Sequence, residues 1–200
     1  MTKSGEETRT RILKACWDLL EQGPETPARM SDIARAAGVS RQAVYLHFPN
    51  RTELLIAAAR FVDAASAIDE RLAASRAATT GPARLDAYIE AWGNYIPVIH
   101  GVGRALMTMA ATDEAARAAW DDRMTAMRDG CDAAIQALAR DGLLRPDLDP
   151  KRGTDLIWTL LSVRNWEHLV GDCGWSQGDY VAEIKRLARA AVVADTGRQI

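Results

Sequence analysis

Apolar residues recur along this 200-residue chain at the three- and four-residue spacing of an α-helix, and nowhere does a two-residue alternation persist. That periodicity leaves no room for an extensive sheet and predicts an all-α fold. Ile12, Leu13, Cys16, Leu19 and Leu20 share one face of a first helix that stops at Gly23-Pro24, a capping glycine followed by a proline. A short helix follows from about Met30 to Ala37 and ends at Gly38, and a third begins after Ser40 and ends near Phe48-Pro49. Asn50, three residues before Glu53, reads as a capping box with Asn in place of Ser or Thr. It opens a long fourth helix carrying Leu54, Leu55, Ala58, Phe61, Val62, Ala65 and Leu72. Beyond the Thr79-to-Pro82 break, helices are predicted at 82–98, 104–111, 113–141, 150–170 and 177–193, separated by glycine- and proline-bearing turns.

A hydrophobic content of 48% supports a real core rather than disorder. Cys16, Cys131 and Cys173 are odd in number and widely separated, which suggests neither a disulfide framework nor a zinc knuckle and makes a reducing cytoplasm the simplest compartment. No run of apolar residues reaches membrane-spanning length, so no membrane partner is expected. His47, His100 and His168 show no metal-ligand spacing, and neither a G-x-S-x-G elbow nor a phosphate-cradling glycine loop is present; no metal, cofactor or catalysis is expected. Net charge is −2, but residues 1–51 carry eight basic and six acidic side chains, so the N-terminal part is the basic one.

Residues 30–48, Met-Ser-Asp-Ile-Ala-Arg-Ala-Ala-Gly-Val-Ser-Arg-Gln-Ala-Val-Tyr-Leu-His-Phe, place two short helices on either side of a glycine turn, the helix-turn-helix arrangement. Gly38 can take the positive φ of the reversal, Val39 can plug the angle, and Ser40 can cap the following helix. At about 100° per residue, Arg41, Gln42, Tyr45 and Leu46 share a face turned away from Val44 and Phe48. Arginine can read guanine edges, glutamine adenine edges, and an apolar tip the thymine methyl. Backbone amides at Met30 and Ser31 and the charge of Arg51 are natural phosphate docks. The alternative is an ordinary solvated helical face.

The blocks Ile33-Ala-Arg-Ala-Ala-Gly-Val-Ser40 and Val44-Tyr-Leu-His-Phe-Pro-Asn-Arg-Thr-Glu-Leu-Leu55 resemble the signature of the tetracycline-repressor (TetR) family, from roughly Thr8 to Ala59. The resemblance implies phosphate contacts by Tyr45, His47 and Arg51, with Ser40, Arg41, Gln42, Ala43 and Leu46 nearest the bases. Arg51 stands where lysine is commoner, and Arg29 where a threonine often caps the second helix. The implied organisation is a DNA-binding domain over 6–66 and a helical effector-binding and dimerisation domain over 67–200.

In the second domain the stretch from Leu156 to Tyr180 is similar to the family's last two helices. It implies a four-helix dimer interface through Leu156, Leu160, Val163, Val181, Ile184, Leu187 and Ala191, with ordinary intrachain core as the alternative. Trp92, Tyr95, Ile99, Met107, Trp120, Met124, Met127, Trp158 and Trp166 gather the large aromatic and thioether groups suited to an apolar effector pocket; each alone is as well explained as core. The function expected is a regulator, a repressor in the first instance. It would bind duplex DNA as a homodimer, with recognition helices about 34 Å apart, and be released by a small hydrophobic or aromatic effector. The rival is a helix-turn-helix protein whose body binds a protein partner.

Overall fold

The computed structural model describes residues 3–23 and 28–195, and among them the fold is all-α, with one isolated β-bridge between Leu144 and Val193. The helices are α1 (Lys3–Glu21), α2 (Met30–Ala36), α3 (Arg41–His47), α4 (Arg51–Ala65), α5 (Ile68–Ala77), α6 (Gly81–Met109), α7 (Glu114–Arg140), α8 (Pro150–Leu160), α9 (Val163–Trp166) and α10 (Gln177–Val192). A π-helical turn, Glu167–Asp172, follows α9. No helix among the described residues is long and apolar enough to cross a membrane. Gly23 lies past the end of α1 at φ +107; Pro24, the second half of the predicted stop signal, lies outside the described residues.

Three predicted boundaries differ from those observed. The long fourth helix is two, α4 and α5: Ser66 ends α4 and Ala67 takes φ +56, a conformation costly for alanine and unannounced by any glycine or proline. The predicted break between 98 and 104 is absent, because α6 runs unbroken through Pro97, Gly101 and Gly103. The two glycines thin the helix instead: a Cβ on Gly101 would stand 3.8 Å from the Glu21 Cα, and one on Gly103 3.7 Å from the Trp120 ring. Helix 150–170, finally, breaks at Leu161, where Ser162 caps α9 by accepting from the Asn165 amide at 3.2 Å and Asn165 Nδ2 donates back to the Thr159 carbonyl at 2.6 Å.

The chain divides into two compact units. The head comprises residues 1–67 and 99–124, and the body residues 68–98 and 125–200. The head thus takes in residues 99–124 as well as the N-terminal stretch. In its core, Leu13, Cys16 and Leu20 of α1, Ile33 of α2, Val44 of α3 and Leu54, Leu55 and Ala58 of α4 are joined by Val102, Ala105 and Leu106 of α6 and by Ala116 and Ala119 of α7. Small side chains on the last two helices let their backbones come close. Three ionic rungs run along the same seam, with Arg51 paired to Asp113, Arg60 to Asp122 and Asp63 to Arg123.

In the body, α10 lies along the first half of α6, with Arg189 paired to Asp86 and Lys185 to Glu90. Pro97 has no amide to offer the Gly93 carbonyl one turn earlier, and Gln177 Nε2 donates to that carbonyl at 2.9 Å in its place. Gln177 Oε1 in turn accepts from Trp166 Nε1 at 2.8 Å, so one side chain satisfies two groups on different elements. α10 also comes close at Gly93, where a Cβ would stand 3.0 Å from Val181 Cγ2.

Candidate nucleic-acid interface

The turn that presents α3 is built as its residues require. Gly38 adopts φ +64, and Ser40 stands outside the helix in an extended conformation with its hydroxyl accepting from the Ala43 amide at 3.1 Å. Val44 and Phe48 are buried and anchor α3 to the head core, so the opposite face of the helix is turned outward. At the start of α4, Asn50 Oδ1 accepts from the Glu53 amide at 2.9 Å and Asn50 Nδ2 donates to Glu53 Oε1 at 3.0 Å, a reciprocal cap. Arg29 precedes α2 without any side-chain cap, leaving the first-turn amides around Ser31 to other partners.

On the outward face Arg41, Gln42, Tyr45 and Leu46 are exposed, Leu46 by 81% and Tyr45 by 40%. The Arg41 guanidinium lies 5.5 Å from the Tyr45 ring centroid, and its Nη2 donates to the phenol oxygen at 3.3 Å, which holds the charge against an amphipathic platform. Leu46, the most open of the exposed large apolar side chains among the described residues, has an apolar tip suited to a methyl-bearing surface. Ala43 is half-buried and Ser40 exposed at the N-terminal edge of this face. His47 is half-buried at its flank, in an open groove that it lines with Phe48, Arg9, Ile56 and Phe61. The Arg9 guanidinium sits 5.0 Å over the Phe48 ring. Helical spacing could not bring Arg9 forward, because only tertiary packing puts α1 beside the end of α3.

Arg51 stands at the start of α4. Its side chain turns into the head, where Nη1 donates to Asp113 Oδ2 at 2.5 Å and Nε to the Ala28 carbonyl at 3.1 Å.

The candidate effector residues fall in both units. Ile99 and Trp120 pack on the head's hydrophobic core, and Met107 and Met124 belong to the same unit. Trp92, Tyr95, Met127, Trp158 and Trp166 belong to the body. There Trp92 meets Tyr95 edge to face at 5.8 Å, and its indole donates to the Leu161 carbonyl at 3.0 Å. Met127 is buried, and its carbonyl accepts from the Tyr88 phenol at 2.6 Å, while Trp166 is bound to Gln177. Arg128 lies 5.4 Å over the Trp158 ring. Among the described residues, the buried polar atoms Trp158 Nε1 and Tyr180 Oη have no hydrogen-bond partner. Sequence reasoning passed over Tyr88, Gln177 and Tyr180, whose roles depend on neighbours more than 30 residues away or on burial alone.

Of the residues assigned to a partner subunit, Val163, Val181 and Ile184 are buried within their own chain and serve its core. Leu156 and Leu187 are 40% and 36% exposed, and Leu160 and Ala191 are half-buried, on two helices, α8 and α10, that pack together. Periodicity alone cannot separate the inner from the outer half of a helix that is apolar on both.

The sequence profile described as "Bacterial regulatory proteins, tetR family" matches residues 12–58. The chain is 32% identical over 162 residues to the HTH-type transcriptional repressor LfrR of Mycolicibacterium smegmatis, an alignment that covers 79% of this chain and 77% of that protein. In fold it is similar to a transcriptional regulator from Saccharomonospora viridis solved in complex with choline, with a TM-score of 0.71 and 21% identity over 94% of this chain and 98% of the other. It is similar also to NalD, the secondary repressor of the MexAB-OprM multidrug efflux pump in Pseudomonas aeruginosa, with a TM-score of 0.69 and 24% identity over 98% of this chain and all of the other. With an exposed recognition helix set on a helix-turn-helix and a repressor relative matched along most of its length, the chain belongs to the TetR family of DNA-binding transcriptional regulators.

Proposed function

We propose that this protein is a repressor that binds a near-palindromic duplex operator as a homodimer and leaves it when a small hydrophobic or aromatic molecule binds. The observation that carries the reading is the outward face of α3, with Arg41, Gln42 and Leu46 exposed while Val44 and Phe48 hold the helix to its core. Tyr45 on that face and His47 at its flank serve as phosphate contacts, joined by Ser31 in the first turn of α2, while Ser40 and Ala43 lie at the N-terminal edge of α3. Exposed Leu156 and Leu187, with Leu160 and Ala191, form the apolar surface for the second subunit. The effector is assigned to the aromatic body, where Trp92, Tyr95 and Trp158 supply apolar walls and the unpartnered Trp158 and Tyr180 groups supply hydrogen bonding.

Selecting bound sequences from random duplex DNA tests the reading directly. Two half-sites in inverted orientation, with centres about one helical turn apart, are expected for a dimer with paired recognition helices. Failure to enrich any duplex at low salt would remove the DNA-binding assignment. A small-molecule screen by thermal shift, followed by release of the selected operator, tests the effector. Linkage requires that DNA weaken effector binding by the factor with which effector weakens DNA binding. A body that no small molecule stabilises, but that a protein partner does, would overturn the effector assignment.

A further inference from the structure

Arg51 opens α4 at a position that the family resemblance gives to the DNA backbone, yet two acceptors it reaches, the Ala28 carbonyl and Asp113, are joints of the head. Ala28 leads into α2 with φ +43, a conformation that alanine holds only when its surroundings impose it, and its carbonyl is caught by Arg51 Nε. Asp113 caps α7 by accepting from the Ala115 and Ala116 amides at 3.0 and 3.2 Å while it receives Arg51 Nη1. One arginine side chain, 22% exposed, therefore ties together the lead-in to α2, the start of α4 and the cap of α7. Burial acts to raise the Asp113 carboxyl, but the Arg51 hydrogen bond, the two α7 amides and the Arg51 charge outweigh it and hold its pKa below the ordinary value, so the pair is charged at neutral pH. To reach a phosphate, Arg51 would have to leave a partly buried carboxylate uncompensated.

Arg9 is situated otherwise. It rims the groove that holds His47, no carboxylate pairs with it among the described residues, and the Phe48 ring beneath it fixes the guanidinium in place. A cation ordered in advance by an aromatic face loses little freedom when it meets an anion.

We propose that the phosphate contact at the α3–α4 corner is made by Arg9 beside His47, and that Arg51 is a positioning residue that sets α2 and α4 for docking. The inference rests on the DNA-binding reading above.

The test is the dissociation constant for a selected operator as a function of salt, for the wild-type chain and for R9Q, R9K, R51Q, R51K, D113N and the R51Q/D113N double variant, with folding checked by helical circular dichroism and melting temperature. Asparagine at 113 keeps an amide-accepting cap while removing the charge. R9Q is expected to lower the magnitude of the log–log salt slope by about one unit, and R9K to restore it. R51Q and D113N are expected to weaken binding by similar factors with the wild-type slope, and the double variant no further than the weaker-binding single one, since all three break one tie. R51K is expected to weaken binding as well, because an ammonium cannot span two acceptors as the guanidinium fork does. The proposal is overturned if R51Q loses a unit of slope while R51K and D113N bind as wild type, or if R9Q keeps the full slope. A wild-type chain that binds no duplex would overturn the functional reading itself, an outcome distinct from both.

Discussion

Head and body are both helical, and both are held by side chains reaching across long stretches of chain, but they spend their polar groups differently. The head turns chemistry outward on α3, where Arg41, Gln42, Tyr45 and Leu46 stand exposed, and ties α4 to α7 by ionic rungs. The body turns much of its chemistry inward: Trp92 donates to Leu161, Tyr88 to Met127, Trp166 to Gln177, and Gln177 to the carbonyl that Pro97 orphans. Side chains exposed on one helical face remain available to an outside partner. Groups turned inward hold the body itself together, and this is why residue type says less about role in the body than in the head.

Breaking the head core should have the largest effect. Ile33→Ala removes a fully buried side chain shared by the helix-turn-helix and is expected to cost about 2–5 kcal/mol, read as a lowered urea midpoint together with lost operator binding. The counterpart in the body is Gln177→Leu, which removes the hydrogen bonds to the Gly93 carbonyl and from the Trp166 indole and should cost about 1–3 kcal/mol, with the head's base preference unchanged. An unaltered melting temperature would show that the inward network is dispensable. Arg41→Ala and Gln42→Ala sharpen the contrast from the other side: each should erase about 1–3 kcal/mol of discrimination between operator variants while leaving stability within about 0.5 kcal/mol. Ser40→Ala should destabilise α3 by about 1 kcal/mol through its lost cap, detectable as faster amide exchange near Ala43.

Acid should divide the units most gently. The Asp122 carboxyl is held below its ordinary value of 3.8, chiefly by the Arg60 hydrogen bond, and Glu90 of the body below 4.5, chiefly by the hydrogen bond from Lys185. Because both folded pKa values are depressed, their stabilisation is complete above the ordinary values and is lost as pH falls through the depressed ones. Asp122 is the better shielded, at 20% exposure against 53% for Glu90, so the head should lose more than the body below pH 4; equal losses would mean that solvent screens both pairs alike.

The parts of the head legible in advance were those governed by neighbours in sequence. Gly38, Ser40 and the Asn50–Glu53 cap act within four residues, and the faces of α1 and α3 follow from helical period. The Arg51 ion pair was illegible for the converse reason: Asp113 is 62 residues away, and nothing local distinguishes an arginine bound to Asp113 from one facing DNA. Val163, Val181 and Ile184 were placed toward a partner because their period marks an apolar face without saying what lies against it. The predicted break at Gly101–Gly103 went astray because glycine serves two ends, turning a chain and letting helices approach, and only the second applies here.

What the amino-acid order determined alone was the all-helical class, the caps and turns of the recognition motif, and which residues of α3 point together. These depend on hydrogen bonds and steric limits that act over one helical turn. Tertiary structure decided that residues 99–124 complete the head, that Arg51 is drawn inward while Arg9 is set beside His47, and that Gln177 replaces the bond lost at Pro97. Each of those outcomes depends on groups distant in sequence competing for one partner, and burial, charge and distance in the folded chain settle that competition.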